Sequence, residues 1–101
     1  MNISITARHF KAHETLKEFI NDEVSSLEKF NDDILRADVI LSYQNVNNSI
    51  KKADITVHIP GQVLKSAEDS DDFKKAVSAS VEKITRQLKT LKSKRTTYKN
   101  D

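Results

Sequence analysis

Seven cations, Lys83, Arg86, Lys89, Lys92, Lys94, Arg95 and Lys99, crowd the end of this 101-residue chain, with no acid before Asp101. Lys74 and Lys75 stand just upstream as outliers of the same helix. Several ammonium and guanidinium groups on one rigid rail can neutralise several phosphates and release their condensed counterions, so the chemistry on offer is polyanion binding. Arg86 adds a planar fork that grips a phosphate with two hydrogen bonds or stacks on a base, which a lysine cannot do. A lysine-rich face can also serve solubility alone, but such faces mix signs. Here no acid is interspersed after Glu82 until Asp101, and acids cluster instead between Glu14 and Asp33 and between Glu68 and Asp72.

Other chemistries find little support. His9, His13 and His58 show no i, i+4 pair on a strong helix and no carboxylate in a ligand pattern, so no metal site is expected. Asp32-Asp33 and Asp71-Asp72 fall at helix boundaries, where turn and capping chemistry accounts for them better than acid–base catalysis. The single glycine lies in Pro60-Gly61, which leaves no glycine-rich phosphate loop and no nucleophile motif. Cysteine is absent, so disulfides and thiolate metal sites are excluded. No catalytic residue, cofactor or small-molecule substrate is expected. The segment MNISITARHF has no apolar core of a signal peptide, and no stretch approaches the roughly 20 apolar residues of a membrane span. The expectation is a cytoplasmic protein with no membrane partner.

These side chains need elements to hold them. Residues 2–7 alternate, with Ile3 and Ile5 on one face, and predict a short strand. Residues 13–30 switch to helical spacing, with Leu16, Phe19, Ile20, Val24, Leu27 and Phe30 in one stripe. Residues 35–44 return to period two: Leu35, Ala37, Val39, Leu41 and Tyr43 face inward, and Arg36, Asp38, Ser42 and Gln44 outward. Asn45–Ser49 has the composition of a turn. Residues 51–59 alternate again, with Ala53, Ile55, Val57 and Ile59 inward, and Pro60-Gly61 closes a hairpin with 62–68. Ser70 or Asp71 can cap a last helix whose stripe Phe73, Val77, Val81, Ile84, Leu88 and Leu91 must pack on the sheet. Lys75, Arg86 and Lys89 point the opposite way, with Lys83 and Lys92 on the flanks. The sum is an α+β, two-layer β-α-β-β-β-α sandwich: one domain over 1–95 and a short flexible tail over 96–101 that includes Tyr98. Tyr43 is expected in the core, whereas Phe10 belongs to neither stripe.

The order of elements and the text of both helices resemble the short ribosome hibernation promoting factor and ribosome-associated inhibitor family. The pieces are Ile3-Ser-Ile-Thr, Leu16-Lys-Glu-Phe-Ile, Leu27-Glu-Lys-Phe, Ala53-Asp-Ile-Thr-Val-His, Ser66-Ala-Glu, Asp71-Asp-Phe and Lys83-Ile-Thr-Arg-Gln-Leu. The run from Arg86 to Lys94 looks like that family's basic helix ending. The resemblance implies a four-stranded sheet with both helices on one face. It also implies binding to the small ribosomal subunit in the decoding channel, where the domain blocks messenger RNA and A- and P-site tRNA in stress or stationary phase. By position, the implied rRNA contacts are Lys75, Lys83, Arg86, Lys89, Lys92, Lys94 and Arg95, with Lys17 and Lys29 as additional contacts from the first helix. Lys74 and Ser78 depart from the Tyr and Asp common in that family, and His13 replaces its capping Thr. The short C-terminus resembles the members that favour ribosome dimers, and the protein off the ribosome is expected to be a monomer.

Two other function classes fit part of the pattern. A double-stranded-RNA-binding domain can share this element order, but it needs a basic helix start and a minor-groove loop. A protein-binding regulator of transcription factors would instead show an exposed apolar patch and little salt sensitivity.

Overall fold

A computed structural model describes residues 1–44 and 50–99, the last seven of these by backbone only. The elements run β1 (Asn2–Ala7), α1 (Glu14–Ser25), β2 (Arg36–Tyr43), β3 (Lys51–Ile59), β4 (Gln62–Ser70) and α2 (Phe73–Lys99). The strands form one mixed sheet in the order β1-β2-β3-β4. β2, β3 and β4 pair antiparallel, whereas β1 pairs parallel to β2. A parallel neighbour needs a crossover, and α1 supplies it. The α+β class, with both helices packed on one side of the sheet, is as expected.

Register explains the core. Cross-strand rows Ile3–Ala37–Val57–Leu64 and Ile5–Val39–Ile55–Ser66 turn toward the helices. Facing them are Ile20, Val24 and Leu27 from the α1 side and Phe73, Ala76, Val77, Ile84 and Leu88 from α2, all buried. Ser80 is also fully buried, and its hydroxyl donates to the Ala53 carbonyl at 2.9 Å, so α2 is pinned to β3 by a polar contact within the apolar layer. Gln87 reaches past the sheet edge, its amide donating to the Lys65 carbonyl of β4 at 2.9 Å. At the turn between β3 and β4, Gly61 has φ +85°, the left-handed position that a Pro-Gly turn needs.

Several boundaries differ from the periodicity. The first helix, expected over 13–30, leaves α-geometry after Ser25 and tightens into a 3₁₀ turn over Ser26–Lys29. The Ser26 hydroxyl donates to the Glu23 carbonyl at 2.6 Å, a local bond of the kind that competes with helix propagation. The apolar stripe survives the change, since Leu27 is fully buried and Phe30 half-buried. Leu35, expected inward, is 60% exposed, while its neighbour Ile34 takes the buried place. The strand alternation begins only at Arg36, so Leu35 lies outside it. Ser42 was assigned outward, yet it is buried and accepts from the Gln44 amide at 2.9 Å.

β4 continues two residues beyond 68, to Ser70. The α2 cap is neither Ser70 nor Asp71 but Asp72: its carboxylate accepts from the Lys74 amide at 2.9 Å and its carbonyl from the Ala76 amide at 3.0 Å. His13 precedes α1 without a side-chain cap bond. The backbone of 96–99 is helical, so the start expected for the tail falls inside α2. The turn expected over 45–49 and residues 100–101 lie outside the described residues. Phe10 belongs to the core rim after all, stacked on Phe73 at 5.1 Å between centroids, with Tyr43 edge-on to both.

Candidate nucleic-acid interface

At about 1.5 Å per residue, α2 is a rod about 40 Å long. Its buried stripe holds one side to β3, β4 and α1, and its cations therefore divide among three directions. Toward β4, Lys83 meets Glu68 at 3.1 Å. Toward solvent, Arg86 meets Glu82 one turn back at 2.6 Å, and Lys75 meets Asp71 at 3.5 Å. The Lys75 ammonium, helped by a hydrogen bond from the Ser70 hydroxyl, lowers the Asp71 carboxyl below the ordinary carboxylate range.

The third direction faces α1. Lys89 lies over the Phe30 ring at 5.3 Å from its centroid, and Lys74 lies over Phe19 at 5.7 Å. Between these two cation–π contacts, the Ser78 hydroxyl donates to Glu23 of α1 at 2.7 Å. Lys29 and Lys92 line one cleft where the first helix ends against α2. A seam between the helices thus carries Lys74, Lys89, Lys92 and Lys29, with two aromatic rings, Glu23 at its middle and Asp32 and Asp33 at the cleft end. Lys17 of α1 sits apart, 3.9 Å from Glu14.

The residues expected on one outward face are therefore not equivalent. Lys75, Lys83 and Arg86 sit beside carboxylates, and Lys89 sits over a ring. Exposed ion pairs are worth about 0–1 kcal/mol each, so an arriving phosphate can recruit those cations at small cost. The side chains of Lys94 and Arg95 lie outside the described residues. Lys74 was absent from the expected contacts. Its signal was present: Lys74 and Lys92, 18 residues apart, point the same way at 100° per residue, 60° from Lys89.

The three histidines stay apart from one another in function. His9 has φ +63° in the turn after β1, and His58 pairs with Asp38 at 3.1 Å on the outer sheet face, beside Arg36. No group of three or more potential metal ligands occurs among the described residues. No helix among them is long and apolar enough to cross a membrane.

A four-stranded mixed sheet backed on one side by two helices, with a cationic seam between them, defines a domain of α+β class. Residues 3–96 match the family described as Sigma 54 modulation protein / S30EA ribosomal protein, and the chain belongs to that family. It is 28% identical over 94 residues to a protein of Escherichia coli K12 named ribosome hibernation promoting factor, covering 93% of this chain and 96% of that one. A Pseudomonas putida protein of the same name is 26% identical, covering 93% and 89%. A Deinococcus radiodurans ribosome hibernation promotion factor is 23% identical over 89% of this chain but only 48% of its own length. Among solved structures, a ribosomal subunit interface protein from Coxiella burnetii superposes with a TM-score of 0.82 at 25% identity, covering 92% and 99%. The N-terminal domain of Protein Y from Thermus thermophilus shares the fold, with a TM-score of 0.80 at 24% identity, covering 90% and 99%.

Proposed function

We propose that this domain binds the small ribosomal subunit at the decoding channel, where it excludes messenger RNA and A- and P-site tRNA and holds idle ribosomes out of translation in stress or stationary phase. No bond is made or broken; the domain acts in the cytoplasm by occupancy. The observation that carries this reading is the cationic seam of α1 and α2, on a fold whose relatives bear the names of hibernation factors.

The physical step is exchange of counterions. A rigid rail of Lys74, Lys83, Arg86, Lys89 and Lys92 approaches rRNA phosphates, and released cations drive association. Because the rail is pinned through Ser80, Gln87 and the Phe73–Leu88 stripe, little backbone ordering remains to oppose binding. A domain wedged by such contacts competes with tRNA through shared space alone.

The test is co-sedimentation with purified small subunits, with and without messenger RNA and initiator tRNA, across a salt series. Binding is expected to weaken steeply with salt and to be lost to tRNA. Arg86→Glu with Lys89→Glu, both exposed, is expected to fold normally and lose binding by more than about tenfold, since charge reversal removes two phosphate-neutralising cations and sets carboxylates against the polyanion. Salt-insensitive binding, or an unaffected double variant, would point instead to a protein partner.

A further inference from the structure

The 3₁₀ turn that ends the first helix meets the last described turns of α2 around a cleft of about 300 Å³. Phe30, Leu88 and Leu91 supply its apolar walls, Lys29 and Lys92 its cations, and Asn31, Asp32 and Asp33 its polar loop. That volume is at the lower end of the ~300–1,000 Å³ range of small-ligand clefts, enough for one heterocycle. Lys89 stands over the Phe30 ring, its ammonium 5.3 Å from the centroid. The loop is held in place, with the Asn31 side-chain carbonyl accepting from the Asp33 amide at 2.7 Å.

We propose that this cleft takes a single unstacked RNA base that carries an exocyclic amine: cytosine, adenine or guanine. The proposal rests on the polyanion-binding reading and deepens it. Each part of a nucleotide finds a complement. The heterocycle lies against Phe30, Leu88 and Leu91, as bases do on aromatic platforms in single-stranded RNA recognition. The flanking phosphates meet Lys29, Lys89 and Lys92, which outnumber the two nearby carboxylates. The exocyclic amine donates to Asp32 or Asp33, the pairing that carboxylates make with cytosine N4. Where cytosine carries its amine uracil carries a carbonyl oxygen, which sets acceptor against acceptor at Asp32 or Asp33. A cationic rim around an apolar wall with two acceptors is poorly matched to an acidic peptide, which would bring further carboxylates toward Asp32 and Asp33.

The wild-type chain is titrated by NMR with pentacytidylate, pentauridylate and an abasic pentamer of equal charge. Pentacytidylate is expected to shift the Phe30, Leu88 and Leu91 resonances and to bind about 5- to 150-fold more tightly than the abasic strand, the range that base stacking supports. Phe30→Leu should bring pentacytidylate to the level at which the same variant binds the abasic strand. Asp32→Asn with Asp33→Asn, two exposed positions with no core role, should erase the preference for cytosine over uracil. Equal affinity for cytidylate and abasic strands, or an unaltered preference in the double Asn variant, overturns the subsite. Small subunits separate the two readings. If Phe30→Leu binds subunits as tightly as wild type and the pentamers are not discriminated, the base subsite fails and the cationic rail stands. If pentamers are discriminated but wild type ignores subunits, the ribosomal reading fails and the subsite stands.

Discussion

Two serines on the same helix–sheet interface experience opposite conditions. Ser80 is fully buried and its hydroxyl donates to the Ala53 carbonyl, whereas the Ser66 hydroxyl oxygen is buried without a hydrogen-bond partner among the described residues. A buried hydroxyl stripped of water is costly unless something replaces that water. Ser80→Ala is therefore expected to destabilise the domain by about 1 kcal/mol, because it removes a hydrogen bond made in a fully buried site. Ser66→Ala should be neutral or stabilise by up to about 1 kcal/mol. Urea unfolding of the two variants checks both signs, and equal destabilisation by both would refute the distinction. Both positions are serines in the sequence; only the register of β3 against β4 and of α2 against β3 tells them apart.

At the scale of the element, the start of α2 sets the direction of the whole rail. Asp72 binds the Lys74 amide, and its carboxylate lies at the positive end of the helix dipole. Asp72→Ala is expected to cost about 1 kcal/mol by thermal or chemical unfolding, near the middle of the range for lost N-caps. Asp71→Ala should cost less, since that exposed carboxylate meets Lys75 and Ser70 rather than a helix amide. A larger loss at Asp71 would reverse the assignment of the cap. The cations in the later turns of α2 suit the opposite, negative end of the dipole, so the same charge pattern that attracts phosphate also favours the helix. The early end of α1 as an α-helix belongs to this scale too. Periodicity carried the stripe through to Phe30, but Ser26 bonding back to Glu23 accompanies a change to 3₁₀ geometry, and that turn leads Phe30 into the cleft wall.

Across the whole molecule, a net charge of +2 hides an uneven field. Lys83 is compensated by Glu68 and Arg86 by Glu82, whereas Lys74 and Lys89 lie over aromatic rings beside α1. Carboxylates cancel local potential; ring faces do not. Lys74→Ala is thus expected to lower the magnitude of the salt slope of subunit binding by up to about 1, and Lys83→Ala to lower it by less. Equal slopes for the two variants would mean that the phosphates lie along β4 and the outer helix face rather than the seam.

Much was legible in the residues alone. Period-two runs marked three strands, the 3.6-residue stripes marked two helices, and Pro60-Gly61 marked the tight hairpin to a fourth strand, because these patterns follow from backbone geometry that is local to a few residues. The acid-free run after Glu82 marked the basic end of the last helix for the same reason. Strand order, parallel pairing of β1 with β2, and the burial of Phe10 against Phe73 depend on contacts between distant segments and were settled only by packing. So was the division of the cations. A helical wheel shows directions around one axis, but it cannot say that α1 stands on the Lys74–Lys92 side and β4 on the Lys83 side. That placement, made by burying both apolar stripes on one sheet face, turned a basic helix into a seam with a cleft at its end.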